Sequence, residues 1–432
     1  MAAQIHPARG MRDFLPADKA RRERALAEIR EVYRAHGFDE IETPVVEDFE
    51  RLHSGLGGDN EKLSFSVLRR GLDQDALRAA ADANNAEQLA DLGLRFDLTV
   101  PLARFYASHR ADLPSVFRSI QIAPVWRAER PQKGRYRQFV QADIDIIGEP
   151  GVLAEIELIT ATAAALDHLG LRGCSIRVND RRLLTAMLAD CGFSPDQFDS
   201  ALITIDKRDK IGVEKVVAEL AELNAGAATK VGELLSRIEA NLGSGSIPLS
   251  REAISELLPN VASEAAIETL DELGKSLTAL PAGVEVVFDP TLVRGMGYYT
   301  ATIFEIAHPE SGSSVGGGGR YDGMIGRFLG EDVPAAGFSI GFERIVDLIE
   351  LPADSESKSL VLVYDKDAHA AELNTFKSHF VNQGFRVRLE RRTKNLNAQL
   401  ERAHGQGFAQ FALIPSGETE PASLQLKTLT AS

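Results

Sequence analysis

Arg127-Ala-Glu-Arg-Pro-Gln-Lys-Gly-Arg-Tyr-Arg-Gln-Phe139 is a basic island in an acidic chain. It holds five Lys/Arg against one Glu between Arg127 and Arg137, while the whole protein carries a net charge of −15. Ile120-Gln-Ile-Ala-Pro-Val-Trp126 precedes it and Ile144-Asp-Ile-Ile147 follows, so the stretch reads as two apolar strands joined by an arginine-rich loop. Such a hairpin is a rigid mount for guanidinium groups, whose planar forks match phosphate oxygens bidentately. A solvated, salt-bridged hairpin is the plainer alternative. What surrounds the loop decides between them.

At 432 residues the chain is long enough for two to three domains, and 44% hydrophobic residues supply their cores. Cys174 and Cys191 form neither a disulfide framework nor a paired zinc motif, which points to a reducing, cytoplasmic setting. The first residues lack the apolar stretch of a signal peptide, and no run near 18 apolar residues predicts a membrane span. The acidic balance disfavours broad nucleic-acid binding but leaves room for a partner held by local basic patches.

Outward from the loop, residues 17–36 have helical periodicity ending at Gly37, and Phe38–Val46 alternates like an edge strand around Pro44. Asp75–Asp91 reads as helix, Leu94–Val100 as strand and 151–170 as helix ended by Gly170. Residues 183–280 are rich in Ala, Glu, Leu and Lys with almost no strand signal, a mostly helical inserted module. Strand character resumes at Val284–Phe288 and runs from Tyr298 to Ile306. After a polar linker near Pro352, the order βαβαβ predicts a small parallel sheet with helices. The expected parts are a core over 1–182 and 281–352, the helical insertion over 183–280, and an α/β domain over 358–432.

Gly274-Lys-Ser276 fails as a P-loop, because Thr269 stands where the first glycine is required. No GxGxxG lies between a strand and a helix, and no histidine pair has metal-ligand spacing. Gly316–Gly319 followed by Arg320-Tyr-Asp is either a flexible loop or the wall of a ligand pocket. Arg294, in Leu292-Val-Arg-Gly-Met-Gly-Tyr-Tyr-Thr300, sits in a segment built for burial and requires an anion, a structural carboxylate or a bound phosphate. Asp97 and Asp145 are acids in apolar strand candidates, costly without partners. Pro334–Ile345 reads as a strand, a glycine turn and a helix bearing Glu343 and Arg344.

Together these segments resemble the class II aminoacyl-tRNA synthetases, and within them the histidyl-tRNA synthetase family. The resemblance runs from Gly10-Met-Arg-Asp-Phe-Leu-Pro16 to the C-terminus. Gly37–Pro44, the Arg127 loop and Gly337–Arg344 resemble the three class-wide motifs. Leu292–Tyr299 and Gly317–Gly323 resemble motifs particular to this family. The implied fold is α+β: a six- or seven-stranded antiparallel sheet with flanking helices, a helical insertion and a C-terminal α/β anticodon-binding domain.

The implied activity is ATP-dependent attachment of L-histidine to tRNA(His) through a histidyl-adenylate. The resemblance assigns Arg127 and Arg294 to the α-phosphate and substrate carboxylate, and Arg135 and Arg344 to the outer phosphates, with Mg²⁺ bridging them. It assigns Phe139 and Glu129 to adenine. Asp97, Thr99 and Gln141 match positions that hold the α-ammonium, and Asp145, Tyr298 and Tyr299 match the imidazole pocket. Gln132 and Lys133 are expected at the acceptor end of tRNA. Arg391 and Lys394 belong to a stretch, Phe385–Arg402, with six Lys/Arg and two acids, read as an anticodon-stem patch or a solvated helix face.

A homodimer is implied by the segment around Pro44. Gly297 stands where the family usually carries Asp. The rival reading is a histidine-sensing regulatory subunit of ATP phosphoribosyltransferase, which resembles the same core but loses catalytic arginines.

Overall fold

A computed structural model describes residues 5–53, 63–131, 135–242, 246–261, 263–294, 299–351 and 358–430. The chain forms two compact units, Met1–Asp13 with Arg24–Glu350, and Phe14–Glu23 with Leu351–Ser432. In chain order the larger unit contains β1 (Asp39–Glu40), β2 (Val46–Asp48), β3 (Phe65–Leu68), β4 (Ala90–Leu94), β5 (Phe117–Trp126) and β6 (Gln138–Ile147). They are followed by β7 (Cys174–Asp180), β8 (Val284–Phe288), β9 (Thr302–Ala307), β10 (Gly316–Arg320) and β11 (Ala335–Gly341). The second unit adds β12 (Ser359–Tyr364), β13 (Arg386–Arg391), β14 (Gln410–Ile414) and β15 (Lys427–Thr428).

The main sheet has eight strands in the order β1-β5-β6-β11-β10-β9-β7-β8. Its six central strands are antiparallel, and a parallel strand closes each edge, β1 on β5 and β8 on β7. The expected six or seven antiparallel strands are therefore eight, with two parallel edges. β5 and β6 pair over ten residues each, from Phe117↔Ile147 to Trp126↔Gln138, and carry the arginine-rich loop at their end.

Helix Pro16–Ala35 starts with proline in its first turn, where the missing N–H costs nothing. It buries Ala25, Ile29 and Tyr33 at spacings of four, and Gly37 after it takes φ +85°. Helix Leu153–His168 buries nine side chains on the back of the sheet, and Gly170 beyond it has φ +73°.

Three local expectations fail for identifiable reasons. Phe38–Val46 is not one strand: β1 spans two residues, and β2 joins a different sheet, β2-β4-β3. Pro44 interrupts it, and the Arg95 guanidinium takes over the carbonyls, 2.7 Å from Thr43 O. Leu94–Val100 leaves the sheet at Leu94, because Asp97 Oδ1 accepts the Val100 N–H at 3.2 Å and turns the chain into helix Thr99–His109. Asp75–Asp91 is helical only over Gln74–Asp82. Asn84 at φ +48° ends it, and the Asn85 side chain caps a short 3₁₀ turn.

Between 183 and 280 the described residues contain helices and no strand: Arg181–Cys191, Phe198–Asp206, Val213–Leu242, Arg251–Leu257 and Glu264–Ser276 are the longer ones. In the second unit β13-β12-β14 are parallel, with helices Ala370–Asn382 and Leu396–Gly405 as crossovers, and β15 adds an antiparallel edge that the sequence pattern did not suggest. Leu360 and Leu362 pack with Phe376 and Phe380 in one cluster. Val361 and Val363 pack with Ala403 and Phe408 in another.

Candidate active site

The register of the main sheet lays polar groups out in rows. One row crosses six strands as Gln121, Asp143, Ser339, Gly317, Glu305 and Arg177. The next row runs Ser119, Asp145, Gly337, Gly319, Ile303 and Asn179. Because side chains alternate faces with period two, Gln141, Asp143 and Asp145 of β6 share one face. That face forms the floor of a cleft of about 350 Å³.

β10 is not a loop. All four glycines are buried in a central strand, and what they make is room. A Cβ at Gly317 would lie 2.3 Å from Cζ of Arg294, and one at Gly337 would lie 2.0 Å from Asp145 Oδ1. The Arg294 guanidinium therefore lies flat on strand backbone. It is held by Glu305 Oε2 at 2.6 Å, and by Ser314 Oγ and Gly316 O at 3.1 Å each. Glu305 is in turn paired with Arg177, which also reaches Asp289 at 3.1 Å.

Arg127, Arg135, Arg294 and Arg344, far apart in sequence, all line this cleft. Arg127 Nε donates to Phe96 O at 3.0 Å, and its guanidinium stands 5.1 Å from the Phe139 ring centroid. Arg344 donates to Ser314 O. Burial, and then the charges of Arg135, Arg294 and Arg127, push the Arg344 guanidinium below its usual value. Four like charges in one partly buried space leave the cleft with a strong demand for a polyanion.

The floor has the opposite character. Burial raises Asp97 to about 6, against the Val100 N–H and the Arg127 charge, which lower it. Burial raises Asp145 to about 7, with Asp97 adding to it and the Tyr321 hydroxyl, 2.6 Å from Oδ1, opposing. Asp143 is raised well above the carboxylate range by burial and then by Asp145. Among the described residues Asp143 Oδ1 and Gln141 Oε1 are buried with no hydrogen-bond partner, while Gln141 Nε2 donates to Ser339 Oγ at 3.2 Å. Such groups await a cationic or N–H-bearing ligand.

Of the residues singled out in the sequence, Asp97, Thr99, Arg127, Glu129, Arg135, Phe139, Gln141, Asp145, Arg294, Tyr299 and Arg344 all line the cleft. Asp97 does so from the turn before a helix rather than from a strand. Tyr298 and Gly297, and Gln132 and Lys133, lie outside the described residues. Arg391 closes β13 in the other unit, with Lys394 just beyond it.

Among the lining residues to which the sequence assigns no specific role are Tyr136, Asp143, Tyr321 and Glu343. Asp143 was visible in principle, since it alternates with Gln141 and Asp145. Tyr321 falls in the candidate pocket wall after the glycines, but its contact with Asp145 depends on neighbours distant in sequence. Arg320, on the other face of β10, pairs with Glu155 at 2.6 Å, and Asp322 accepts Ala335 N–H at 2.9 Å. The two anchors fix Tyr321 between them.

Comparison with known proteins points the same way. The family model for Histidyl-tRNA synthetase matches residues 10–345. The histidine–tRNA ligase of Leifsonia xyli subsp. xyli (strain CTCB07) is 64% identical over 430 residues, covering 100% of each chain. The probable histidine–tRNA ligase of Tropheryma whipplei (strain Twist) is 43% identical, covering 95% of this chain and 96% of its own. The crystal structure of histidyl-tRNA synthetase from Nostoc sp. PCC 7120 aligns with a TM-score of 0.75 at 26% identity, over 99% of this chain and 95% of that one. Sequence, fold and cleft agree: this chain belongs to the histidyl-tRNA synthetase family.

Proposed function

We propose that the protein is a histidine–tRNA ligase that activates L-histidine with ATP and transfers it to tRNA(His). The observation that carries this reading is the facing of an arginine-lined wall and an acidic floor across one cleft. A polyphosphate and an amino acid need those two surfaces side by side.

A carboxylate oxygen of histidine attacks the α-phosphorus of ATP, the bond to the bridging oxygen breaks, and pyrophosphate leaves. No general base is needed, because the nucleophile is already ionised. The step requires alignment and relief of negative charge. Arg127 and Arg294 flank the α-phosphate and the histidine carboxylate, while Arg135 and Arg344 hold the β- and γ-phosphates. Mg²⁺ arrives with ATP as part of the nucleotide substrate. Phe139 stacks on adenine and Glu129 reads its amino edge.

On the floor, Asp97, Thr99 and Gln141 take the α-ammonium. Asp145, steadied by Tyr321, meets the imidazole together with Tyr298 and Tyr299. A site built to hydrogen-bond that ring rejects an isostere lacking its N–H. The terminal ribose hydroxyl of tRNA then attacks the acyl carbon and AMP departs. Gln132 and Lys133 meet the acceptor end, and Arg391 and Lys394 meet the anticodon side.

Exposed apolar side chains on and beside the small sheet (Val45, Val46, Leu68 and Leu92) support a homodimer formed through this face. Two free, buried cysteines suit a reducing cytoplasm. No described helix is long and apolar enough to cross a membrane. The regulatory-subunit alternative is disfavoured by the full set of cleft arginines.

Histidine-dependent ATP–pyrophosphate exchange tests the first step and tRNA charging the second. Exchange that needs histidine is the expected result. Histidine binding without exchange would sink the catalytic reading.

A further inference from the structure

Residues 8–12 clip the returning limb of the arginine-rich loop. Gly10 O accepts the Arg137 N–H at 2.8 Å, and Arg137 O in turn accepts the Arg127 N–H at 2.8 Å. Gly10 has φ +83°, and a Cβ there would lie 2.9 Å from Arg137 Cγ and 3.1 Å from Pro131 Cβ, so glycine is required for the contact. Two residues on, the Arg12 guanidinium carbon stands 3.5 Å from the Tyr136 ring centroid, and Nη2 donates to Glu343 Oε2. Glu343 Oε1 accepts the Val140 N–H at 3.3 Å, and its side chain is only 5% exposed. Tyr136, Glu343 and the adjacent Arg344 all line the cleft.

We propose that Arg12 is a positioning residue for the nucleotide end of the cleft. By neutralising Glu343 and stacking on Tyr136, it joins the loop bearing Arg127 and Arg135 to the turn bearing Arg344. The proposal rests on ATP being the ligand of the arginine wall. Without Arg12, the buried Glu343 carboxylate loses the Arg12 ion pair next to the guanidinium that receives the outer phosphates. An acid deprived of that cation repels the polyanion more strongly and holds the turn less firmly. Lysine cannot replace the arrangement fully, because it keeps the charge but not the flat stacking surface.

The test combines kinetics with a readout that needs no catalysis. In Arg12→Ala the KM for ATP in the exchange reaction is expected to rise about tenfold, with the KM for histidine within about twofold of wild type. Arg12→Lys should fall between the two. Arg12→Ala/Glu343→Gln should recover most of the lost ATP affinity, because the negative charge that faced Arg12 is gone. Amide hydrogen exchange over residues 135–140, measured without substrate, should run about tenfold faster in Arg12→Ala.

Trp126, the single tryptophan, donates Nε1–H to Gln138 Oε1 at 3.2 Å, so its emission should report the same loosening. A melting curve near wild type excludes general unfolding. Unchanged amide exchange and emission would overturn the proposal. So would an equal rise of both KM values, or a double variant no better than the single one. A wild-type protein with no histidine-dependent exchange would instead count against the proposed function, and the amide measurement would still judge the clip.

Discussion

Two buried strands of this molecule are built from opposite material. β12 reads Leu360-Val-Leu-Val363, and each of its faces meets apolar side chains, Phe376 and Phe380 in one cluster, Ala403 and Phe408 in the other. β10 is equally buried but reads Gly316-Gly-Gly-Gly319, and the space above it is taken by Arg294 and Tyr299. The first strand fills its surroundings and holds a fold together. The second leaves room that polar groups from other segments occupy, and those groups can be turned toward a ligand. Burial by itself therefore does not distinguish core from site. The size of the buried side chains does.

Arg294→Ala presses hardest on this contrast. Removing the guanidinium that lies on β10 should cut histidine-dependent exchange about 10³-fold, the scale for losing a group aimed at developing phosphate charge. Thermal melting should barely change. Leu362→Ala makes the reciprocal change in β12. It should destabilise the C-terminal unit by about 3 kcal/mol, the usual cost of such a core deletion, seen as earlier unfolding in denaturant, while exchange persists.

Gly317→Ala puts a single methyl where the two strand types differ. The atom it strikes is the movable end of Arg294, so exchange should fall about 10²-fold with stability changed by less than about 1 kcal/mol. A stability loss as large as that of Leu362→Ala would mean that β10 is ordinary core.

The smallest effect concerns the floor. Asp143 is raised above the unfolded carboxylate value mainly by burial. The folded state then binds protons more tightly than the unfolded state, so this group lowers stability as pH rises above about 4. Asp143→Asn should accordingly raise the melting temperature at pH 8 and raise it by less at pH 5. A gain that is independent of pH, or a loss, would contradict the account of a ligand-awaiting acid.

Legibility followed the same division. The β5–β6 hairpin, the helical stretch after 183 and the βαβαβ tail were readable because their periodicity is local and their apolar residues pack where the pattern puts them. Asp97 was misplaced in a strand, since a single carboxylate bond to the Val100 N–H outweighs the apolar pattern of its neighbours. Phe38–Val46 was overread because the groups that replace its ladder come from Arg95, 52 residues away from Thr43. Tyr321 owes its place in the cleft to the pairing of Arg320 with Glu155, and Glu343 pairs with Arg12; both partners lie far away in sequence, where no local pattern connects them.

The residue order alone determined which chemical groups this protein possesses and which segments could be strands or helices, since composition and periodicity act over a few residues. It also determined, through short motifs, the family to which the chain belongs. Only the tertiary structure decided that Arg127, Arg135, Arg294 and Arg344 share one space with the carboxyls of Asp97, Asp143 and Asp145. Electrostatic character depends on distance and burial, and both are properties of the packed sheet rather than of any single segment.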